Sequence, residues 1–197
     1  MRVLVFDTET TGLPPKGPLD TVTWPFVVQL SFVEIDTDTE KLTEHDFLVR
    51  VEGEIPTTDI HGITKTRNTE CGFTFPDVFG IFVQFLERAD MVVGHNVEFD
   101  LNMVRVECLR HGLAFPEPSV YYCTMKSNKE RCNILAPSGY VKYPKLLELY
   151  LFLFHEEPQN LHNALTDVYA CLRCFYITVL KKPAPSKVTR KIAHKSI

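Results

Sequence analysis

The sequence has little of several features that mark particular classes of protein. No apolar run among its 197 residues is long enough to cross a membrane, and the amino terminus reaches Asp7 before an apolar signal-peptide region is complete. We therefore expect an intracellular protein, cytoplasmic or nuclear, that is not secreted and has no membrane partner. Glycine and proline stay below low-complexity levels, and a hydrophobic content of 45% is sufficient for the core of one compact domain.

The six cysteines also lack the spacing of a metal site. Cys171 and Cys174 form a CxxC pair within a strongly helical stretch, but no second pair stands at zinc spacing. Packing on a helix face therefore explains this pair better than a zinc or redox site does. We expect free thiols, as in a reducing compartment.

A basic excess, the usual mark of a nucleic-acid-binding surface, is absent from the chain as a whole, whose formal net charge is −4. Residues 181–197 contain six Lys and Arg and no Asp or Glu, which leaves 15 basic and 25 acidic residues in 1–180, a net of −10. We expect this basic tail to be disordered and solvated. The alternatives are a phosphate-binding arm and a nuclear address.

Apolar patterns predict strands alternating with helices after an initial hairpin. Short apolar or alternating runs predict strands at 2–7, 26–36, 42–51, 91–94 and 120–124. Apolar residues at helical spacing predict helices at 75–86, 95–111, 145–154 and 160–180. This order indicates an α/β fold, a single domain with a mixed sheet flanked by helices.

Two carboxylates stand at the end of the first predicted strand. Because side chains alternate along a strand, Asp7 and Glu9 point to the same face. Two adjacent carboxylates repel each other unless a cation lies between them, and residues 3–15 contain no Lys or Arg. Mg²⁺ favours such oxygen ligands, although solvated acids at a strand end would show the same spacing.

Two further segments place chemistry-bearing residues at strand ends or helix starts. Asn96 suits the N-cap of the helix that follows the fourth predicted strand, so Asp100 lies in or near the first turn of that helix. There Asp100 either complements the helix dipole or faces a ligand. His162 precedes Asp167 by five positions across the start of the last helix. A histidine beside a carboxylate can act as a general base near neutral pH.

Taken together, these segments resemble the DEDDh 3′–5′ exonucleases, which have a ribonuclease-H-like fold. The resemblance is carried by Phe6–Gly12, Ile60–Ile63, Val93–Asp100 and His162–Asp167, in the order of the family. It is nearest to the proofreading epsilon type of bacterial DNA polymerase III and its stand-alone relatives. It covers residues 1–180, the expected exonuclease domain, and leaves 181–197 outside.

The resemblance implies a site for two Mg²⁺ ions, for which Mn²⁺ can substitute. It implies that Asp7, Glu9, Asp100 and Asp167 are the metal-site and catalytic carboxylates, with Asp7 bridging the ions and Asp100 acting through water. His162 then deprotonates the attacking water. Two cations would also cancel the repulsion between the acids at the end of the first strand.

Three more residues receive substrate-binding roles from the resemblance. Thr10 is expected to contact the sugar of the terminal nucleotide and His61 to line the pocket for the 3′ end. Phe99 either stacks on a base or packs ordinarily within its helix. Trp24, in the loop after the first strand, is expected to pack that loop onto the body rather than to serve as a base platform.

The sequence thus predicts a metal-dependent enzyme that hydrolyses phosphodiester bonds at the 3′ ends of DNA, preferably single-stranded, and releases nucleoside 5′-monophosphates. A polymerase or replication partner is possible. One alternative is an exoribonuclease, because discrimination through the 2′-hydroxyl rests on a few side chains that the sequence does not identify. The other alternative is a catalytically silent nucleic-acid-binding module.

Overall fold

A computed structural model describes residues 1–159 and 161–192. Their strands are β1 (Arg2–Thr10), β2 (Val27–Asp36), β3 (Leu42–Leu48), β4 (Met91–Gly94) and β5 (Tyr121–Cys123). They form one mixed sheet in the order β3-β2-β1-β4-β5. The pairs of β1 with β2 and of β2 with β3 are antiparallel, and the pairs of β1 with β4 and of β4 with β5 are parallel.

Helices cover both faces of this sheet. Along the described chain they are α1 (Thr58–His61), α2 (Lys65–Cys71), α3 (Phe75–Arg88), α4 (Val97–Arg110), α5 (Thr124–Ser127), α6 (Lys129–Cys132), α7 (Leu146–Phe154), α8 (Ala164–Phe175) and α9 (Ser186–Thr189). A π-helical turn, Tyr176–Leu180, extends α8. Among the helices of residues 1–159 and 161–192, none combines the length and the apolar character that a membrane crossing requires.

The two sides of β1 serve two separate hydrophobic clusters. Leu4 and Phe6 pack with α3 and α4, whereas Val3 and Val5 pack with α8. This alternation follows from the period of two along a strand. It directs the next residues of the Val3 series, Asp7 and Glu9, to the side of the sheet that α8 covers.

The predicted α/β architecture is confirmed, including the hairpin of β2 and β3 and the helix that follows β4. The start of the last helix was predicted wrongly. The predicted range opens at 160, whereas α8 begins at Ala164 after the N-cap residue Asn163, whose side chain accepts from the Thr166 N–H at 3.3 Å. The start of α8 is therefore set by the capping side chain of Asn163 and not by the apolar periodicity upstream of it.

The prediction of a disordered tail is also wrong for residues 181–192. This segment contains α9, and Val188 and Ile192 are buried in the cluster formed with α8. Lys191 adds an ion pair with Glu44 at 2.6 Å. The segment folds back because two apolar side chains, four residues apart, find a hydrophobic surface. Residues 193–197 of the predicted tail lie outside the described residues.

Cys171 and Cys174 are both buried in the core on α8, which confirms the interpretation of helix-face packing. Their thiols lie in apolar surroundings, and burial raises the pKa of both. A thiol with a raised pKa remains protonated at neutral pH and is a poor nucleophile or metal ligand.

Candidate active site

The end of β1 presents the first two carboxylates. Asp7 pairs with Ser31 and Glu9 with Gln29 in the antiparallel ladder, and both acidic side chains are half-buried. The ladder register shifts between Glu9 and Thr10, so the strand is irregular directly after the second carboxylate. A paired strand therefore holds these two groups in a fixed orientation, and the chain leaves the sheet immediately beyond them.

The first turn of α8 brings a third carboxylate to the same place. One carboxylate oxygen from each of Asp7, Glu9 and Asp167 lies within 4.8 Å of the other two. Asp167 Oδ2 accepts the backbone N–H of His162 at 3.3 Å, whereas Oδ1 is buried and has no hydrogen-bond partner in the described structure. A buried oxygen without a partner is costly unless something absent from the protein atoms satisfies it.

Asp100 reaches the site from the opposite face of the sheet and lies outside that cluster of three. It is only 2% exposed, and its Oδ1 accepts the Thr8 N–H at 3.0 Å and the Thr8 hydroxyl at 2.7 Å. Because β1 pairs with β4 only through Val3–Val5, the Thr8 amide extends past its neighbouring strand. Asp100 thus takes the place of a strand partner and is fixed beside Asp7.

Burial is the largest cause that raises the pKa of all four acids, and neighbouring carboxylates add to it for three of them. Burial raises the pKa of Glu9 to about 7, and burial together with Glu9 raises that of Asp167 to about 7. Burial raises the pKa of Asp100 to about 8 against the opposing effect of the Thr8 hydrogen bonds. The pKa of Asp7 rises well above its ordinary value because of burial and then because of the charges of Asp100, Asp167 and Glu9.

This arrangement fits a divalent cation. Three convergent carboxylates, one of them with a buried oxygen that lacks a partner, match the hard oxygen ligands that Mg²⁺ and Mn²⁺ take. A bound cation would also favour the ionised carboxylates, which burial and, for three of them, neighbouring acids disfavour in the metal-free protein. The residues that could hold a metal are thus Asp7, Glu9 and Asp167, with Asp100 adjacent.

His162 lies in the turn before α8, where its exposed side chain borders the carboxylate cluster. Its backbone adopts a left-handed conformation with φ of 68°, and its N–H is the donor to Asp167. Within the described residues the imidazole makes no hydrogen bond, and it lines the same groove as Asp167. The ring is therefore accessible in the groove that Asp167 also lines, and its expected role as a general base stays a prediction.

The structure gives Thr10 and His61 structural partners. The Thr10 hydroxyl donates to the Gly12 carbonyl at 2.7 Å. His61 Nδ1 accepts the Ile63 N–H, which leaves Nε2–H to donate to the Thr57 hydroxyl at 2.8 Å, and this hydroxyl donates to the Thr10 carbonyl at 2.6 Å. Burial lowers the pKa of His61, so the ring is neutral in this chain of hydrogen bonds. The expected substrate contacts of both residues stay predictions.

For three residues, Phe99, Trp24 and Asn96, the sequence reasoning weighed a purely structural role against a functional one. Phe99 is half-buried and packs against the core cluster of α3 and α4, and its expected stacking role stays a prediction. Trp24 is buried, with its indole N–H donating to the Pro18 carbonyl at 3.0 Å, which confirms the packing interpretation. Asn96 occupies the N-cap position, but its backbone is left-handed and its side chain makes no capping hydrogen bond, contrary to expectation.

A groove of about 1040 Å³, which the sequence reasoning missed, opens beside Asp167. Its lining includes His95, Tyr143, Lys145, His162 and Asp167. The alternation of aromatic and basic residues in Tyr140-Val-Lys-Tyr-Pro-Lys145 was the available signal. His95 carried no signal of its own, because its partners lie far away in the chain.

Comparison with known proteins identifies the family. The sequence model of the RNase T exonuclease family matches residues 4–175, a range that contains all four acids and His162. An epsilon-like protein of DNA polymerase III from Rhodobacter capsulatus is 36% identical over 121 residues, or 60% of this chain. The chain spans only 16% of the length of that relative.

Solved structures share the fold at low identity. Escherichia coli exonuclease I, in a zinc-bound complex with single-stranded DNA, matches 96% of this chain and 42% of its own, with 17% identity and a TM-score of 0.68. A full-length 3′-exonuclease matches 99% and 67%, with 14% identity and a TM-score of 0.70. Cell-death related nuclease 4 matches 98% and 66%, with 13% identity and a TM-score of 0.68. These matches confirm the predicted ribonuclease-H-like architecture.

Proposed function

Because the chain belongs to the exonuclease family, in the DEDDh branch of the ribonuclease-H-like superfamily, we propose that it hydrolyses the 3′-terminal phosphodiester bond of DNA and releases nucleoside 5′-monophosphates. The observation that carries this proposal is the convergence of Asp7, Glu9 and Asp167 within 4.8 Å, with a buried Asp167 oxygen that lacks a partner. A binding module would need neither this arrangement nor an exposed histidine beside it.

Four side chains have roles in holding two Mg²⁺ ions, which Mn²⁺ can replace. Asp7, Glu9 and Asp167 would hold the ions, and Asp100 lies beside them. When bound, such ions stabilise the attacking and leaving oxygens of a phosphoryl centre. Thr8 contributes indirectly, because its two hydrogen bonds fix the orientation of Asp100.

His162 would act as the general base. Its imidazole accepts a proton from water as the water oxygen forms a bond to the phosphorus of the terminal nucleotide. The bond between that phosphorus and the O3′ of the preceding nucleotide breaks, and O3′ takes a proton from solvent. The products are a nucleoside 5′-monophosphate and a strand that is one nucleotide shorter and ends in a 3′-hydroxyl.

DNA and a single-stranded 3′ end are the preferred substrate in this proposal. Support comes from the epsilon-like relative and from the single-stranded DNA named in the complex of exonuclease I. The relative also supports a polymerase as partner. RNA is the competing substrate, and the rates of digestion of DNA and RNA of the same sequence distinguish the two.

The test is a timed digestion of 5′-labelled single-stranded DNA with Mg²⁺, with RNA of the same sequence alongside. Wild type should give a ladder that shortens from the 3′ end, faster on DNA. Asp167→Asn removes one charge without changing side-chain size, and it should lower kcat by at least about a hundredfold. Glu87→Gln, at an exposed carboxylate on α3, should behave as wild type.

Two results would overturn the proposal. Faster shortening of RNA would identify an exoribonuclease. No hydrolysis with Mg²⁺ or Mn²⁺, combined with no rise in Tm on adding either ion, would identify a silent binding module.

A further inference from the structure

The segment Tyr143–Lys145, which we call the strap, forms part of the wall of the groove. Tyr143 is 48% exposed and Lys145 is exposed, whereas Pro144 between them is buried. The strap therefore presents one aromatic ring and one ammonium group in the same groove as His162 and Asp167 of the candidate active site.

The strap is held at several points. His95 Nε2–H donates to the Pro144 carbonyl at 3.0 Å, and His95 Nδ1 lies 3.0 Å from the Thr124 hydroxyl oxygen. Burial lowers the pKa of His95 to about 4, so its ring is neutral in these hydrogen bonds. The Lys145 N–H donates to Glu148 at 2.7 Å. A segment fixed in this way offers a preorganised surface, and its ordering costs little on binding.

The chemistry of the strap suits a nucleic-acid strand. An exposed ring can stack on a base of any sequence, and a lysine beside it can contact a phosphate. Lys129 Nζ lies 5.3 Å from the centroid of the Tyr143 ring, which adds a second positive charge at this place. Residues 1–180 carry a net charge of −10, so basic groups beside the groove matter more than they would on a basic protein.

We propose that the strap binds the substrate strand upstream of the scissile phosphate, with Tyr143 stacked on a base and Lys145 on a phosphate, and thereby selects single-stranded 3′ ends. This proposal rests on the proposed function. A base that stacks on Tyr143 must leave its neighbours and its complement, which a single strand allows at low cost and a duplex does not.

The experiment compares two substrates in steady-state kinetics. One is a single-stranded 20-nucleotide DNA, and the other is the p-nitrophenyl ester of thymidine 5′-monophosphate, which has no base or phosphate upstream of its scissile bond. Tyr143→Ala and Lys145→Ala should each raise KM for the oligonucleotide about tenfold and leave kinetics on the ester unchanged. Lys145→Ala should also weaken the salt dependence of KM for the oligonucleotide.

Two variants serve as matched controls. Tyr143→Phe keeps the ring and should keep the wild-type KM. Tyr140→Ala removes a tyrosine that is 79% exposed but does not line the groove, and it should have no effect. An unchanged KM in Tyr143→Ala would overturn the proposal. An equal loss on both substrates would also overturn it, because the strap would then support the catalytic site instead of the strand.

Equilibrium binding separates this proposal from the proposed function. Fluorescence anisotropy with the labelled 20-nucleotide DNA in EDTA measures binding without hydrolysis. If wild type hydrolyses neither substrate, the catalytic proposal fails, yet a tenfold weaker Kd in Tyr143→Ala still supports the strap. Equal Kd values in wild type and Tyr143→Ala, or no binding by wild type, would overturn the strap as a strand-binding surface.

Discussion

At the scale of single residues, the main feature is a group of carboxylates that hold protons near neutral pH. The pKa values of Glu9, Asp100 and Asp167 are about 7, 8 and 7, and that of Asp7 also lies well above its ordinary value. These groups are ionised in the unfolded chain above about pH 5. In the metal-free protein the native state therefore binds more protons than the unfolded state between about pH 4 and pH 8.

This difference predicts that the metal-free protein loses stability as pH rises through that range. The free energy of unfolding falls wherever the native state binds more protons, and a bound cation should offset the fall by replacing them. Tm measured in EDTA and in Mn²⁺ at pH 5.5, 7.0 and 8.5 should differ most at pH 8.5. Asp167→Asn should show a shallower fall in EDTA than wild type, and parallel curves for the two proteins would contradict the assignment.

A second prediction separates the proposed role of His162 as a general base from metal binding by the carboxylates. His162→Asn keeps a residue type that tolerates the left-handed backbone at this position. We expect kcat to fall by about 10²- to 10⁴-fold because the proton acceptor is lost. The rise in Tm on adding Mn²⁺ should be unchanged, since the carboxylates remain. Near-normal kcat in the variant would show that another group accepts the proton.

At the scale of elements, the loop between β1 and β2 is tied to α4 by one arginine. Arg110 donates to the backbone carbonyls of Thr21, Trp24 and Pro25 and to the carboxylate of Glu107. Glu107 is 3% exposed and also accepts the Val27 N–H at 2.9 Å. The same loop carries Leu13, which lines the groove, so the arginine links α4 to the rim of the candidate active site.

Arg110→Met should therefore lower the free energy of unfolding by about 3 kcal/mol, because Glu107 would be left buried and without its cation. The double variant Glu107→Gln/Arg110→Met should lose less than the single one, since its glutamine carries no charge. Urea unfolding measures both, with Arg67→Met, an exposed site on α2, as the control. An equal or larger loss in the double variant would contradict the explanation that the unpaired charge of Glu107 causes the loss.

The elements also show why some features were predictable from the sequence. The direction of Asp7 and Glu9 follows from local strand periodicity, and the position of Asp100 follows from the strand-to-helix order. The contact of His95 with Pro144 joins positions 49 residues apart, and no local pattern encodes it. The start of α8 depends on one capping side chain and on the left-handed His162, which apolar periodicity does not reveal.

At the scale of the whole molecule, the last described segment belongs to the folded domain. Its basic composition predicted a solvated tail. That prediction did not take into account Val188 and Ile192, which are buried in the hydrophobic cluster of α8. Lys191 pairs with Glu44 on β3 and so joins the segment to the edge of the sheet. At least one positive charge of this segment, that of Lys191, is therefore paired within the domain.

Val188→Ala should lower the free energy of unfolding by about 2 kcal/mol, because it removes fully buried methyl groups and leaves a cavity. Lys187→Ala, an exposed neighbour on the same short helix, should change it by less than about 0.5 kcal/mol. The midpoints of urea unfolding compare the two variants directly. Equal midpoints for Val188→Ala and wild type would mean that the segment is not docked in solution.

The strand register that aligns Asp7 with Ser31 also links the stability of the fold to the assembly of the candidate active site. A slip of one residue would turn Asp7 and Glu9 towards the aromatic side of the sheet, where Phe6 now contacts Phe82 at 5.2 Å between ring centroids. Unpaired acids there would destabilise the domain. A chain with the slipped register would therefore be unstable, so folding of the domain selects the register that brings the carboxylates together.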